Sequence, residues 1–299
     1  IDVRTVMDRR YFYGIRVMAA HDLTKQANPD LNCIGKAHLI LLYRHFFCDK
    51  VIGKNGQVTY PPAPNDFYDK AQYEVQCAIP QAIARIRENG FCPRDARRFL
   101  LDLLVLNAET EGEYSDHFYI CKLLQALTTS IIPEKYTGET DLLSSLRSDD
   151  PVESELKDFI KAVLDEIEKY RRKDEWELTW HNIWTTTTLD CKMRLMKARV
   201  IPVEPIEFVR YLQDENLDLI RIKAHECLVE LGLLARPCIL RLFLADMTSC
   251  PSPFVRDRLF KIFCRGLAAI ALGESSISRP RQEDVVKHDD GDLILEAGE

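Results

Sequence analysis

Ile220-Arg221-Ile222-Lys223-Ala224-His225-Glu226-Cys227-Leu228 decides the fold, because two other stretches share its spacing. Ile15-Arg16-Val17-Met18-Ala19-Ala20-His21-Asp22-Leu23 and Val255-Arg256-Asp257-Arg258-Leu259-Phe260-Lys261-Ile262-Phe263 follow the same pattern. Each has an apolar-Arg pair, two residues, a small or apolar residue, three residues and an apolar residue. On a helix the positions i, i+4 and i+8 fall in one narrow stripe, with the Arg about 100° away from it. A stripe that narrow needs a neighbouring helix of the same kind, which is the mark of a stacked helical repeat. Arg221 and Arg256 stand 35 residues apart, slightly short for HEAT or armadillo units and suited to a helical pair. Arg16, Arg221 and Arg256 are expected to be architectural, bonding an acidic residue or a carbonyl at a turn, as Asp218 can do for Arg221.

Outward from these runs nearly every periodic segment has the helical period. Helices are expected over 8–26, 32–47, 69–89, from Pro93 onward, 115–130, 150–172, 176–197 and 206–212. Residues 51–65 read as a surface loop, rich in Gly and Pro. Pro80 predicts a kink, and Gly90 after Asn89 predicts a helix C-cap. Asp150-Pro151-Val152-Glu153 supplies an N-cap, a Pro at N1 and an acidic N3. Thr185-Thr186-Thr187-Thr188 alone suggests a strand, but Ile183, Trp184, Leu189, Met193 and Met196 around it have helical spacing. The predicted architecture is an all-α, HEAT/ARM-like helical-repeat solenoid over 1–272, followed by a flexible, polar, acidic tail over 273–299.

Composition narrows the function classes. With 46% hydrophobic and 29% charged residues, the 299-residue chain can bury a sizeable core. A formal net charge of −7 argues against a surface that is basic throughout, while leaving room for local basic patches. The ten cysteines form no C-x-x-C pair and mostly lie in apolar runs, as small buried hydrophobes in a reducing compartment do. No apolar run approaches the 18 or so residues that span a bilayer. The chain opens at Ile1 with no Met and no signal-peptide layout, so it is expected to be part of something longer.

The sequence carries few marks of reaction chemistry. His225-Glu226-Cys227-Leu228-Val229 holds only half of H-E-x-x-H, with Val229 where the second zinc ligand would stand. His38 and His45 lie two turns apart without a completing ligand. Neither a phosphate-binding glycine loop nor a nucleophile elbow is present, so neither a catalytic residue, a metal site nor a cofactor is expected. Two basic groups are candidate contacts for DNA or a partner. Arg94, Arg97 and Arg98 open one helix, with Arg85 and Arg87 ending the one before, and Lys192 and Arg194 lie on another. Phosphate binding needs such clusters, and helical proteins also carry them as solvated faces.

Five further stretches carry a family likeness: Tyr13-Gly14-Ile15-Arg16-Val17-Met18-Ala19-Ala20, Ala78-Ile79-Pro80-Gln81-Ala82-Ile83-Ala84, Phe91-Cys92-Pro93-Arg94-Asp95-Ala96-Arg97-Arg98-Phe99-Leu100-Leu101-Asp102-Leu103, Tyr114-Ser115-Asp116-His117-Phe118-Tyr119 and Asp218-Leu219-Ile220-Arg221-Ile222-Lys223-Ala224. In this order, over roughly 8–265, they resemble the C-terminal HEAT-like region of the TFIID subunit 2 family, the aminopeptidase-like TBP-associated factors. The resemblance implies a nuclear, non-enzymatic scaffold in assembly of the RNA polymerase II preinitiation complex. It implies contacts with other TFIID subunits and with core-promoter DNA, and no small-molecule substrate or membrane. It also implies the position of the helical fourth domain of M1 aminopeptidases. Two other readings stay open on the residues alone: that domain of a true M1 zinc aminopeptidase, or a generic HEAT-repeat adaptor.

Overall fold

The computed structural model describes residues 2–25, 34–52, 56–65, 67–107, 114–138 and 140–273. Among them run thirteen α-helices and one two-stranded hairpin, so the fold is an all-α helical repeat. The tail expected after Gly273 lies outside the described residues. The chain groups into two compact units, 1–204 and 205–299.

The first unit contains α1 (Asp2–Met7), α2 (Tyr13–Lys25), α3 (Ile34–Phe47), α4 (Lys70–Ile83), α5 (Arg94–Asn107), α6 (His117–Ile131), α7 (Leu142–Ser145), α8 (Pro151–Trp176) and α9 (Ile183–Lys197). A hairpin of β1 (Val51–Ile52) and β2 (Val58–Thr59) pairs antiparallel within the predicted 51–65 loop. Helices α2, α4, α6 and α9 form one layer, each packed on the next, and α3, α5 and α8 cover it. Bonds at matching ends show that the inner four run parallel. Arg16 of α2 donates to Gln72 of α4 at 2.9 Å, and the Trp184 indole of α9 donates to the His117 carbonyl of α6 at 3.2 Å. At the other end Arg194 of α9 donates to the Thr129 hydroxyl of α6 at 2.8 Å. Leu39, Ile79, Ile83, Leu100, Leu103, Leu124 and Ile160 are wholly or almost wholly buried between the layers, each contributing about 1.5–3 kcal/mol.

Local chemistry sets the boundaries. Helix α2 begins at Tyr13, five residues later than predicted, and is preceded by the unpredicted α1, because Asp8 accepts from the Arg10 backbone and guanidinium and turns the chain between them. Asn89 and Gly90 do not cap a helix. Both take positive φ, 53° and 83°, and form a tight turn in which Glu88 and Phe91 exchange backbone bonds. Pro80 is accommodated inside α4, which ends at Ile83 instead of near residue 89. The start of α8 follows expectation, with the Asp150 carboxylate accepting from the Val152 N–H at 2.8 Å. The threonine run is helical, its cost offset where Thr186 and Thr188 return their hydroxyls to carbonyls three residues back.

The second unit holds α10 (Ile206–Val209), α11 (Asp218–Glu230), α12 (Pro237–Ser249) and α13 (Pro253–Ala271). Val229, Leu234, Phe243, Leu259 and Ile262 form its core. On α13, Gly266 lies so close to α11 and the following turn that a Cβ would stand 2.6 Å from Val229 and 2.7 Å from Leu234.

Candidate functional site

The parallel row in the first unit has two chemically different edges. At the C-terminal ends stand Lys25, Arg85, Arg87, Lys197 and Arg199, where cations complement the helix dipoles. Arg87 does more than that. Its guanidinium donates to the Ala84 and Ile86 carbonyls behind α4, and to the Thr129 and Ile132 carbonyls at the end of α6.

The five candidate contact residues are placed unequally on this framework. Arg94 is exposed and paired with Glu155, the fifth residue of α8. Arg97 is half-buried over the Phe159 ring at 5.2 Å, and burial pushes its guanidinium below the ordinary pKa. Arg98 is exposed. Lys192 turns to α8 and meets Glu168 at 3.2 Å, whereas Arg194 turns to α6 and Thr129. The fold therefore brings Arg194 beside Arg87 at Thr129 but points Lys192 elsewhere, as two residues two positions apart on a helix must diverge.

The repeat arginines also differ. Arg16 is 3% exposed and donates from Nε to the Val6 carbonyl at 2.9 Å and from Nη2 to Gln72. Arg221 is buried and meets Asp214 at 2.8 Å, with Asp218 at 3.8 Å. Arg256 is exposed on α13. His225 is buried, 3.0 Å from an Asp246 oxygen and edge-on to Phe243. Among the described residues, no three His, Cys, Asp or Glu side chains converge as a metal set, and no helix is long and apolar enough to cross a membrane. The nine described cysteines are free, and burial pushes the Cys92 and Cys191 thiols up to about 12.

The opposite edge carries exposed aromatic rings at the helix N-termini: Tyr11, Phe12 and Tyr13 at α2, Tyr68 before α4, Phe118 on α6 and Trp180 before α9. Around Trp180 the surface is most apolar, with Trp176 88% exposed, Leu178 74% and Trp180 71%. Beneath them Asp174 is fully buried and accepts four hydrogen bonds. One carboxylate oxygen takes the Thr179 N–H at 2.9 Å and its hydroxyl at 2.6 Å, and the other takes the same two groups of Thr185. This knot stops α8 at Trp176 and fixes the loop whose His181 and Asn182 adopt positive φ. Sequence reasoning passed over Asp174. The only signal was an Asp followed at five and eleven residues by Thr.

A family model described as TAF2-like, TPR repeats matches residues 3–287. Transcription initiation factor TFIID subunit 2 of Schizosaccharomyces pombe is 33% identical over 289 residues, covering 96% of this chain and 23% of that protein. The Saccharomyces cerevisiae protein of the same name is 30% identical over 199 residues, 65% of this chain and 12% of its own length. The Drosophila melanogaster protein is 30% identical over 234 residues, 76% and 18%. The chain thus spans less than a quarter of each of these relatives.

Proposed function

The chain belongs to the TFIID subunit 2 family, in its TAF2-like helical-repeat region, and from that premise we propose that it is a non-enzymatic nuclear scaffold. It docks other TFIID subunits during assembly of the RNA polymerase II preinitiation complex. The repeat region over 1–272 supplies the docking domain, with 273–299 a polar tail, and core-promoter DNA is a second contact. The observation that carries this reading is colinearity, because one family match runs through both compact units with no other fold between them. Relatives named as initiation factors support a role outside catalysis. The parallel row supports docking, since stacked helices present extended edges to partner segments. The aromatic edge suits protein, as exposed Trp and Tyr are the residue types that anchor interfaces.

The test is affinity purification of the tagged 299-residue chain from nuclear extract, with bound proteins identified by mass spectrometry. The expected result is enrichment of several TFIID subunits over an unrelated helical-repeat protein. A folded chain that enriches none of them contradicts the proposal.

A further inference from the structure

The last described helix, α13, has two apolar sides. Val255, Leu259, Ile262 and Gly266 face the core of the second unit and are buried. On the opposite side Phe260, Cys264, Leu267, Ala268 and Ala271 are all exposed, Phe260 by 55% and Leu267 by 45%. These five positions fall within about 100° of the helix surface and make one stripe about three turns long. In a stack of helices the next helix covers such a stripe, and a terminal unit needs a polar outer face instead.

Charge indicates what covers it. Helix α13 carries four cations, Arg256, Arg258, Lys261 and Arg265, against the single acid Asp257. Arg256 and Lys261 flank the N-terminal end of the stripe on its two sides. Lys261 meets Asp257 at 2.8 Å and Arg265 reaches Glu226 of α11 at 2.8 Å, while Arg256 meets no carboxylate among the described residues. A second copy of this face would bring cations against cations, which disfavours self-pairing.

The matching chemistry stands later in the same sequence. Asp289-Asp290-Gly291-Asp292-Leu293-Ile294-Leu295-Glu296 holds the longest apolar run after Gly273, and 289–299 contains five acids with no Lys or Arg. Residues 274–288 can span up to about 50 Å, whereas the 19 residues of α13 extend about 28 Å. The acidic run can therefore return to the first turn of α13. The tether also holds it near the face at an effective concentration of about millimolar, which favours it over a free partner.

We propose that residues 289–296 fold back along α13 and cap this face. Asp289, Asp290 and Asp292 come beside Arg256 and Lys261, and Leu293, Ile294 and Leu295 cover Phe260, Cys264 and Leu267. The cap needs no TFIID subunit and stands or falls apart from the docking proposal.

Cys264 lies in the stripe and Cys238 is exposed on α12, so one thiol reports the cap and the other is its control. The probe is iodoacetamide on the purified 299-residue chain, with alkylation of each cysteine followed by peptide mass spectrometry. Leu293→Asp with Leu295→Asp should speed alkylation of Cys264 by at least about fivefold, the loss of a cap that is mostly closed, and leave Cys238 unchanged. Asp289→Asn, Asp290→Asn and Asp292→Asn together should speed Cys264 by at least about threefold. Both effects should be independent of protein concentration. A change at Cys264 below about twofold in the paired Leu variant would overturn the cap. So would an equal rise at Cys238, no effect of the Asn substitutions, or protection that grows with protein concentration, which assigns the face to a second copy.

Discussion

Asp174 shows how much one buried carboxylate determines. Its four donors are the backbone N–H and hydroxyl groups of Thr179 and Thr185. Asp174→Ala should destabilise the first unit by on the order of 3 kcal/mol, measured by chemical denaturation, because buried N–H groups lose a charged acceptor. A change below about 0.5 kcal/mol would show the knot to be incidental. Arg98 makes the complementary case for surface charge. If promoter DNA touches the candidate cluster, Arg98→Glu should weaken DNA binding and lower the log–log salt slope by about 1 or more. The same reversal at Lys192 acts first on its pair with Glu168. Unchanged binding and slope in Arg98→Glu would remove that cluster from any DNA contact. None of this ranking was legible in the sequence, where the five basic residues look alike. Their difference comes from α6 and α8, which supply Thr129, Glu155, Phe159 and Glu168 from distant positions.

At the scale of elements, the sequence carried the helices well and their ends less well. The Asp150-Pro151 start and the helical threonine run were legible because local caps and spacing agreed with the packing. Asn89-Gly90 was not, since Gly after a helical run reads as a C-cap until both positive φ angles are seen. The repeated arginine pattern located α2, α11 and α13 correctly, yet Arg16 and Arg221 are buried and Arg256 is exposed. Spacing defines a face of the helix but not what neighbours lie beside that face. In α13 the informative residue is Gly266. A glycine inside a helix costs about 1 kcal/mol relative to alanine, so intrinsic propensity alone makes Gly266→Ala stabilising. Close approach to Val229 and Leu234 reverses the sign. The substitution should destabilise by about 1–3 kcal/mol in equilibrium denaturation, and a gain in stability would refute the tight α11–α13 contact.

Across the described residues the chain is built almost entirely of packed helices, and the 35-residue spacing of Arg221 and Arg256 sits beside the roughly 34-residue period of TPR units. In the first unit the repeat yields an aromatic edge and a cationic edge, because parallel helices bring all their N-termini to one side. Among the described residues neither edge brings together a metal-binding set, and the docking proposal assigns these edges to partner chains. The docking claim is tested most directly by crosslinking mass spectrometry on purified TFIID containing this chain in its full-length parent. The account predicts crosslinks from Lys25, Lys70, Lys173 and Lys197 to other TFIID subunits, with apolar neighbours of Trp176 and Trp180 buried on assembly. Crosslinks from those lysines that run only within the parent chain, in an otherwise complete assembly, would contradict it.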